Sequence, residues 1–407
     1  MAAAKWPPNH PLVLSAKNNL AVCWQTQKRF DQSIPLLEEI MQQKEQVFGE
    51  DHPETWEAMQ NVAIAYNARG RLKQAIPLLT RVLELRTQKL GALHPQTLKS
   101  RYSVAQTHFY LREYETARTM LEPVLQQMTL VLGPDHPETL ACLNSLGSTY
   151  FYMSDYDNAR EYLQQAVDLM TTRHGRNHAQ TVNAMFNLAN THMQRGDYIA
   201  GLKWGRELLP PATEVLGPDN PMTTMSHHLV LGASAHVEIM IDQEFTALTQ
   251  SIRDSAAAEV WKPQLSVLLE HLRFLWAAEP RRLATGMAKV AKTLLDAEQW
   301  SEAEPVVNEA WQLRRLHEPD AWTTFNLQSV LGGVWLKLGR AAQAEAMIVA
   351  GYQGLQERQD KIPAGARSER LREALDRAIA VYTELQQPEQ VAKYQTLRDA
   401  APSPQSP

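Results

Sequence analysis

The stretch GEDHPETWEAMQNVAIAYNARGRLKQAIPLLTRVLELRTQKL, Gly49 to Leu90, decides the fold. It reads as a helix, a short turn and a second helix, and copies of it fill the first half of the chain. A histidine, mostly followed by proline, dates each copy: His10, His52, His94, His136 and His178 stand 42 residues apart (94 − 52), and Asn220 keeps the beat ahead of Pro221. A fixed period in this range predicts stacked helical repeats, all α, rather than one globular core.

The local signals agree with that reading. Asp51 and Glu54 have the spacing of a capping box with Pro53 between them, and Asp135 and Glu138 repeat it, so helix A is expected from Pro53 to Arg69. Gly70-Arg71 interrupts it. Helix B is expected from Leu72 to Leu90, with Gly91 as its stop; Gly49, Gly133, Gly175 and Gly217 recur on the same beat. Pro35 and Pro77 sit in the first turn of their B helices, where a missing N–H costs nothing.

A ladder of side chains keeps the period. Small residues recur in helix A at Ala21, Ala63, Ala105, Gly147 and Ala189, and early in helix B at Ser33, Ala75, Ala117, Ala159 and Gly201. Leu20, Val62, Val104, Leu146 and Leu188 precede the first series, and Trp24, Tyr66, His108, Tyr150 and His192 follow it by three. Phe30, Leu72, Tyr114, Tyr156 and Tyr198 mark the turn between helices; Leu37, Leu79, Leu121 and Leu163 lie one turn into helix B. Small residues let helices approach and large ones fill the holes between them.

This ladder resembles the tetratricopeptide pattern, and the long period with its LG-x-DHPET joint is similar to the kinesin-light-chain variety, over roughly residues 9 to 217. An armadillo or HEAT array has a similar period but does not require the small-residue ladder. The resemblance implies a right-handed superhelical solenoid of helix-turn-helix repeats that binds protein or peptide partners.

The pattern decays towards the C-terminus. Pro210-Pro211 falls inside helix B of the fifth copy and is expected to kink it or end it early. The sixth copy places His227 and Ser234 at core positions. We therefore divide the chain into an array over residues 1–235 (five regular repeats and a degenerate sixth helix A), a degenerate helical connector over 236–280, three divergent helix pairs over 281–399, and a disordered Pro/Ser-rich tail over 400–407. In the connector, Leu265, Leu268, Leu269, Leu272 and Leu275 trace one apolar helix face. The pairs turn at Glu298 to Trp300, at Gly339-Arg340 and near Pro388, and KIPAGARSE is expected as a loop before the last. Glu318 to Gln356 resembles the repeat region downstream of the catalytic domain in some bacterial serine/threonine protein kinases. The chain opens directly on a helix A with no capping unit, so the alternative reading is a regulatory or substrate-recruiting region of such a kinase, or one split from it.

Composition limits the partners. The 407 residues carry a formal net charge of −5, which argues against nucleic acid and against an anionic membrane surface. Two cysteines in different repeats give no disulfide framework, and a reducing cytoplasm is expected. There is no signal-peptide run and no stretch apolar enough to span a membrane. Helices pack about 8–10 Å apart, so histidines one repeat apart cannot share a metal ion; they read as helix-start residues, and the adjacent His227-His228 pair diverges around a helix. No phosphate-binding loop, kinase signature, nucleophile elbow or H-E-x-x-H occurs, so neither enzyme activity, cofactor nor metal is expected.

The remaining candidate is a surface. On helix A, positions six before, three before, one after and four after the small residue lie opposite the packed face. In tetratricopeptide arrays that side lines the concave groove, so the resemblance implies a peptide site made of Asn18, Gln60, Asn67, Lys99, Tyr102, Gln106, Phe109, Asn144, Phe151, Asn183, Phe186, Asn190 and Met193. Amides suit an extended backbone and rings suit side-chain pockets. Asn18 and Asn144 match the asparagine of the kinesin-light-chain LNNLA element, whereas Gln60, Tyr102 and Phe186 depart from it. The competing reading is that the rings pack on neighbouring repeats.

Overall fold

A computed structural model describes residues 6–7, 9–254 and 257–401; these hold eighteen α-helices, one short 3-10 turn and no strand. The chain forms two compact units, Met1–Ala233 and Ser234–Pro407.

In the first unit five helix pairs follow one another: α1 (Pro11–Thr26) with α2 (Phe30–Phe48), α3 (Pro53–Ala68) with α4 (Leu72–Leu90), α5 (Pro95–Tyr110) with α6 (Tyr114–Leu132), α7 (Pro137–Tyr152) with α8 (Tyr156–His174), and α9 (Ala179–Gln194) with α10 (Tyr198–Leu216). Each A helix packs on its own B helix and, from α3 to α9, on the B helix before it. The small-residue ladder sits at these crossings: Ala21, Ala63, Ala105, Ala189, Ala75, Ala117 and Ala159 are fully buried. A methyl added to Gly147 would lie 2.7 Å from Leu163 Cγ. Val62 shares a cluster with Ala21, Ile34 and Leu37 of the copy before it. Leu20, at the equivalent place in α1, is exposed, because no described helix pair precedes it.

The joint between copies differs from the expected capping box. The N-cap is the histidine: Nδ1 of His52, His94 and His136 each accepts the backbone N–H two residues on at 3.2 Å, and His10 and His178 do so at 3.3 Å. Asn220 substitutes its Oδ1, 2.9 Å from Met222 N. Asp51 caps nothing and instead pairs with Lys89 at 2.8 Å, as Asp135 pairs with Arg173 at 3.0 Å. Both acids sit one residue too early to reach the free N–H groups. The residue before the stop glycine stacks on the cap, Phe48 on His52 and His174 on His178. The glycines themselves adopt φ 79–100° with ψ 156–170°, a region closed to residues with a Cβ.

Two expectations fail, the early end of the fifth helix B and the loop KIPAGARSE. α10 runs through Pro210 and Pro211 to Leu216, keeping the 19-residue length of the other B helices; buried packing at Leu208, Pro211 and Ala212 holds the segment although two N–H groups are missing. The sixth helix A continues without a turn into the expected connector as α11, Pro221 to Asp254, and the division between the two units at Ala233/Ser234 falls within it. KIPAGARSE is mostly helix, since a 3-10 turn (Gln359–Lys361) and buried Ile362 lead directly into the helix that starts at Ala364.

The second unit holds the rest of α11 and then α12 (Ala258–Leu275), α13 (Pro280–Asp296), α14 (Trp300–His317), α15 (Trp322–Lys337), α16 (Ala341–Glu357), α17 (Ala364–Glu384) and α18 (Pro388–Ala400). All five leucines of the α12 face are buried, and His271 Nδ1 meets Glu244 Oε1 of α11 at 2.8 Å. The three expected turns fall where placed. α15 and α16 cross closely because Gly351 has no Cβ; one there would sit 2.6 Å from Ser329 N. Ala400 closes α18, and residues 402–407 of the expected tail lie outside the described residues.

Two outcomes follow for stability. His136→Ala should lose about 1 kcal/mol of cap energy in a denaturant titration, whereas His136→Asn, copying Asn220, should lose almost none. Gly147→Leu should cost about 1–3 kcal/mol or more by overpacking against Leu163; a neutral result there would mean the crossing has slack.

Candidate functional site

Two concavities open on the A helices of the first unit. The larger, about 500 Å³, lies over α5, α7 and α9 and is lined by Tyr102, Gln106 and Phe109, by Ala141, Asn144 and Ser148, and by Asn183. The smaller, about 120 Å³, continues over α7, α9 and the start of α11 with Phe151, Phe186, Asn190 and Met225. The structure thus brings together Tyr102, Gln106, Phe109, Asn144, Phe151, Asn183, Phe186 and Asn190.

The other expected positions are placed elsewhere. Asn18 accepts from Asn61 Nδ2 at 3.0 Å on α1, and Asn67 donates to Thr107 Oγ1 at 2.9 Å. Gln60 is half-buried on α3 and lines neither concavity. Lys99 pairs with Glu138 at 2.7 Å, so its charge is already matched. Met193 packs into the α9–α10 turn, its Sδ 2.8 Å from where a Gly201 Cβ would be. The cause is its place in the helix: the position four after the small residue is the penultimate residue of helix A, beside the turn into helix B. Phe109 likewise meets Tyr114 edge-on at 5.6 Å, and Phe151 meets Tyr156 at 5.7 Å. These rings do both jobs, packing on the turn and lining the surface.

Residues that the helical wheel passed over complete the site. Asn187 and Ser145, two before the small residue, lie on its floor, and Tyr110 and Tyr152, five after it, stand at its edge. Asn187 Nδ2 reaches Ser148 Oγ at 3.1 Å and both Asn144 Oδ1 and Asn183 Oδ1 at 3.3 Å; Asn144 Nδ2 donates to Asn183 Oδ1 at 3.3 Å. Tyr102 Oη shares a bond with Ser145 Oγ at 2.9 Å and accepts from Gln106 Nε2 at 3.3 Å. The signal was present: Asn61, Ser103, Ser145 and Asn187 are 42 residues apart and all small and polar.

The amides of α7 and α9 therefore hold one another in place, and the Tyr102–Ser145 hydroxyl bond ties α5 to them. Each amide and hydroxyl retains bonding capacity beyond these contacts, since an asparagine offers two N–H groups and a carbonyl oxygen with two lone pairs. Tyr110 and Tyr152 are 52% and 55% exposed, large flat surfaces left for contact. Burial pushes the Tyr102 hydroxyl well above its ordinary range, so it remains a neutral donor. No carboxylate, lysine or arginine lines either concavity. Among the described residues no group of three or more potential ligands could hold a metal, and no helix is long and apolar enough to cross a membrane.

Ionisation enters only behind this surface. Burial depresses His192 despite the opposing effect of Asp197, 3.1 Å away, and burial followed by the charges of His178 and Arg173 depresses His174. A histidine held below 6.5 binds its proton more readily when unfolded, so native stability should fall as pH drops through that value. Carboxylates held low, such as Glu39 beside Lys17, act only below their ordinary 4.5. The denaturation midpoint should therefore decline between about pH 7 and pH 5. Changing His192→Tyr and His174→Leu, the residue types that other copies use there, should flatten the decline; an unchanged slope would assign it to other groups.

Four overlapping matches to the tetratricopeptide repeat family model cover residues 12–88, 57–122, 96–172 and 146–210. Among curated proteins none matches this sequence. Among solved structures, the nearly identical TPR-like repeats of a Podosopora anserina protein titled a kinesin light chain are 22% identical, with 51% of this chain and 98% of that one covered and a TM-score of 0.45. BtubC (BKLC) from P. vanneervenii is 17% identical, with 51% and 82% covered and a TM-score of 0.45. The apo form of RapI is 14% identical, with 74% and 97% covered and a TM-score of 0.44.

Proposed function

We propose that residues 12–210, a tetratricopeptide array, form a non-catalytic protein-interaction scaffold that holds an extended, largely uncharged peptide against α5, α7 and α9. Tetratricopeptide repeats generally mediate protein–protein interaction; the peptide and its place on the array are our reading. The observation that carries it is the Asn144–Asn183–Asn187 cluster, a preorganised set of amides on a surface without a formal charge. An extended chain presents a peptide group about every 3.3–3.6 Å, and amides fixed by their neighbours can bond to it with little further ordering. Tyr110 and Tyr152 add exposed rings beside that row, the kind of group that dominates peptide interfaces. A partner read by charge would need lysines or arginines on this floor.

The test is a binding titration with a peptide selected on the full chain from a random extended library. Tyr152→Ala should weaken binding by about 2 kcal/mol and Asn187→Ala by about 1–2 kcal/mol. Because ionic contacts are screened over about 8 Å at physiological salt, an uncharged contact should change little between low and high salt. Affinity that collapses with salt and ignores both substitutions would move the site off this surface.

A further inference from the structure

The Ser234–Pro407 unit holds a concavity of about 470 Å³ over α13, α15 and α17, and its chemistry differs from the amide floor. Leu295, Val330, Val334, Trp300 and Trp322 give it an apolar wall. At its other side stand Arg370, Glu373 and Arg377 of α17. Arg377 lies across α15 at Gly333, where a Cβ would come within 3.0 Å of its Cδ. The missing side chain thus makes the cradle in which the arginine stem rests.

The charges there do not close. Glu373 accepts from Arg370 Nη1 at 3.1 and 2.9 Å, while Arg377 Nη2 reaches the same carboxylate only at 3.5 Å. The better bond of Arg377 is to a neutral group, Ser329 Oγ at 3.2 Å. Arg370 also has a second carboxylate, Glu369, at 3.9 Å, so the poorly matched guanidinium is that of Arg377, the deeper of the two. Arg377 is crowded by protein yet keeps 23% of its side-chain surface, as a group at the bottom of an open pocket should. Of the other lining charges, Lys292 is matched by Asp296 at 2.8 Å, and Lys337 sits over the Trp300 ring. Asn326 also lines the pocket, and its Oδ1 is buried without a hydrogen-bond partner.

An under-neutralised guanidinium in an apolar pocket is costly unless an anion completes it. We propose that this pocket binds a small organic acid, its apolar or aromatic body against Trp300 and Trp322 and its carboxylate on Arg377, with Asn326 as the second polar contact. A planar carboxylate matches the guanidinium fork, and the volume falls in the range of small-ligand sites. A phosphate would place a heavily hydrated dianion against an apolar wall, which favours the carboxylate. The proposal is independent of the peptide reading, since it rests on other residues and another unit.

The experiment is calorimetry of the full chain with indole-3-propionate, its uncharged amide, acetate, inorganic phosphate and a short peptide ending in Trp. Indole-3-propionate should bind, its amide about tenfold or more weaker, and acetate and phosphate not measurably. Arg377→Gln should remove the preference for the acid over the amide. Val330→Phe should fill the pocket and abolish binding of both while leaving helical content and the charges intact, which separates a lost site from a lost fold. Equal binding of acid and amide, or binding untouched by both substitutions, would overturn the proposal. Absence of acid binding overturns it too, and so does stronger binding of phosphate. Capture of the Trp-ended peptide alone would assign the pocket to a polypeptide terminus instead.

Discussion

Everything in the first unit depends on how closely two helices can cross where each carries a small residue. Ala63 on α3 and Ala75 on α4 are both fully buried, and the same pair recurs as Ala105 with Ala117 and Gly147 with Gly201's counterpart Ala159. With the distance between axes fixed there, Leu79, Leu121 and Leu163 have only one space to fill. The next copy then docks on the apolar edge that the crossing leaves, as Val62 does on Ile34 and Leu37. Repeats of this kind gain stability mostly from such neighbour contacts, so the crossing sets both the fold of one copy and the place of the next.

The joint between copies shows a second constraint, on pairs rather than single residues. Glu50 meets Arg81 at 2.5 Å in one copy, and three periods on Arg176 meets Glu207 at 2.8 Å. The two positions are the same and the charges are exchanged. Asn220 replaces histidine as a cap without loss of the bond. What persists is the bond, a donor facing an acceptor across the joint, and the residue types drift around it. This explains why a period can be read easily from Gly49, Gly91 and Gly133, whose φ and ψ permit no other residue, and less easily from the charged positions.

How much was legible follows from these causes. Helix limits such as Leu72–Leu90 were readable because glycine geometry and the turn residues are local properties. The cap was assigned to Asp51 because the acid matched a familiar spacing, while the geometry favoured the histidine one place later. α10 misled because a proline signals only local preference, and buried packing overrides it. On the site, a helical wheel assigns direction from one helix, but the floor lies between three. Residues two before the small position, Ser145 and Asn187, point into that gap, and Met193, counted as lining, is drawn onto Gly201.

The amide floor of the first unit and the pocket beside Arg377 differ because burial treats amides and charges differently. On α7 and α9 the asparagines satisfy one another within 3.3 Å, so the surface is complete without a ligand. A site of that kind gains affinity from bonding capacity left over after internal satisfaction, and it tolerates variation in what is bound. On α17 the carboxylates of Glu369 and Glu373 serve Arg370 first, and Arg377 is left with a 3.5 Å contact beside an apolar wall. A site of that kind gains affinity by correcting a deficit, and it discriminates by charge. Fold similarity alone gives no warrant for the same ligand class in both places; the hydrogen-bond and charge inventory of each floor does, and the two inventories disagree.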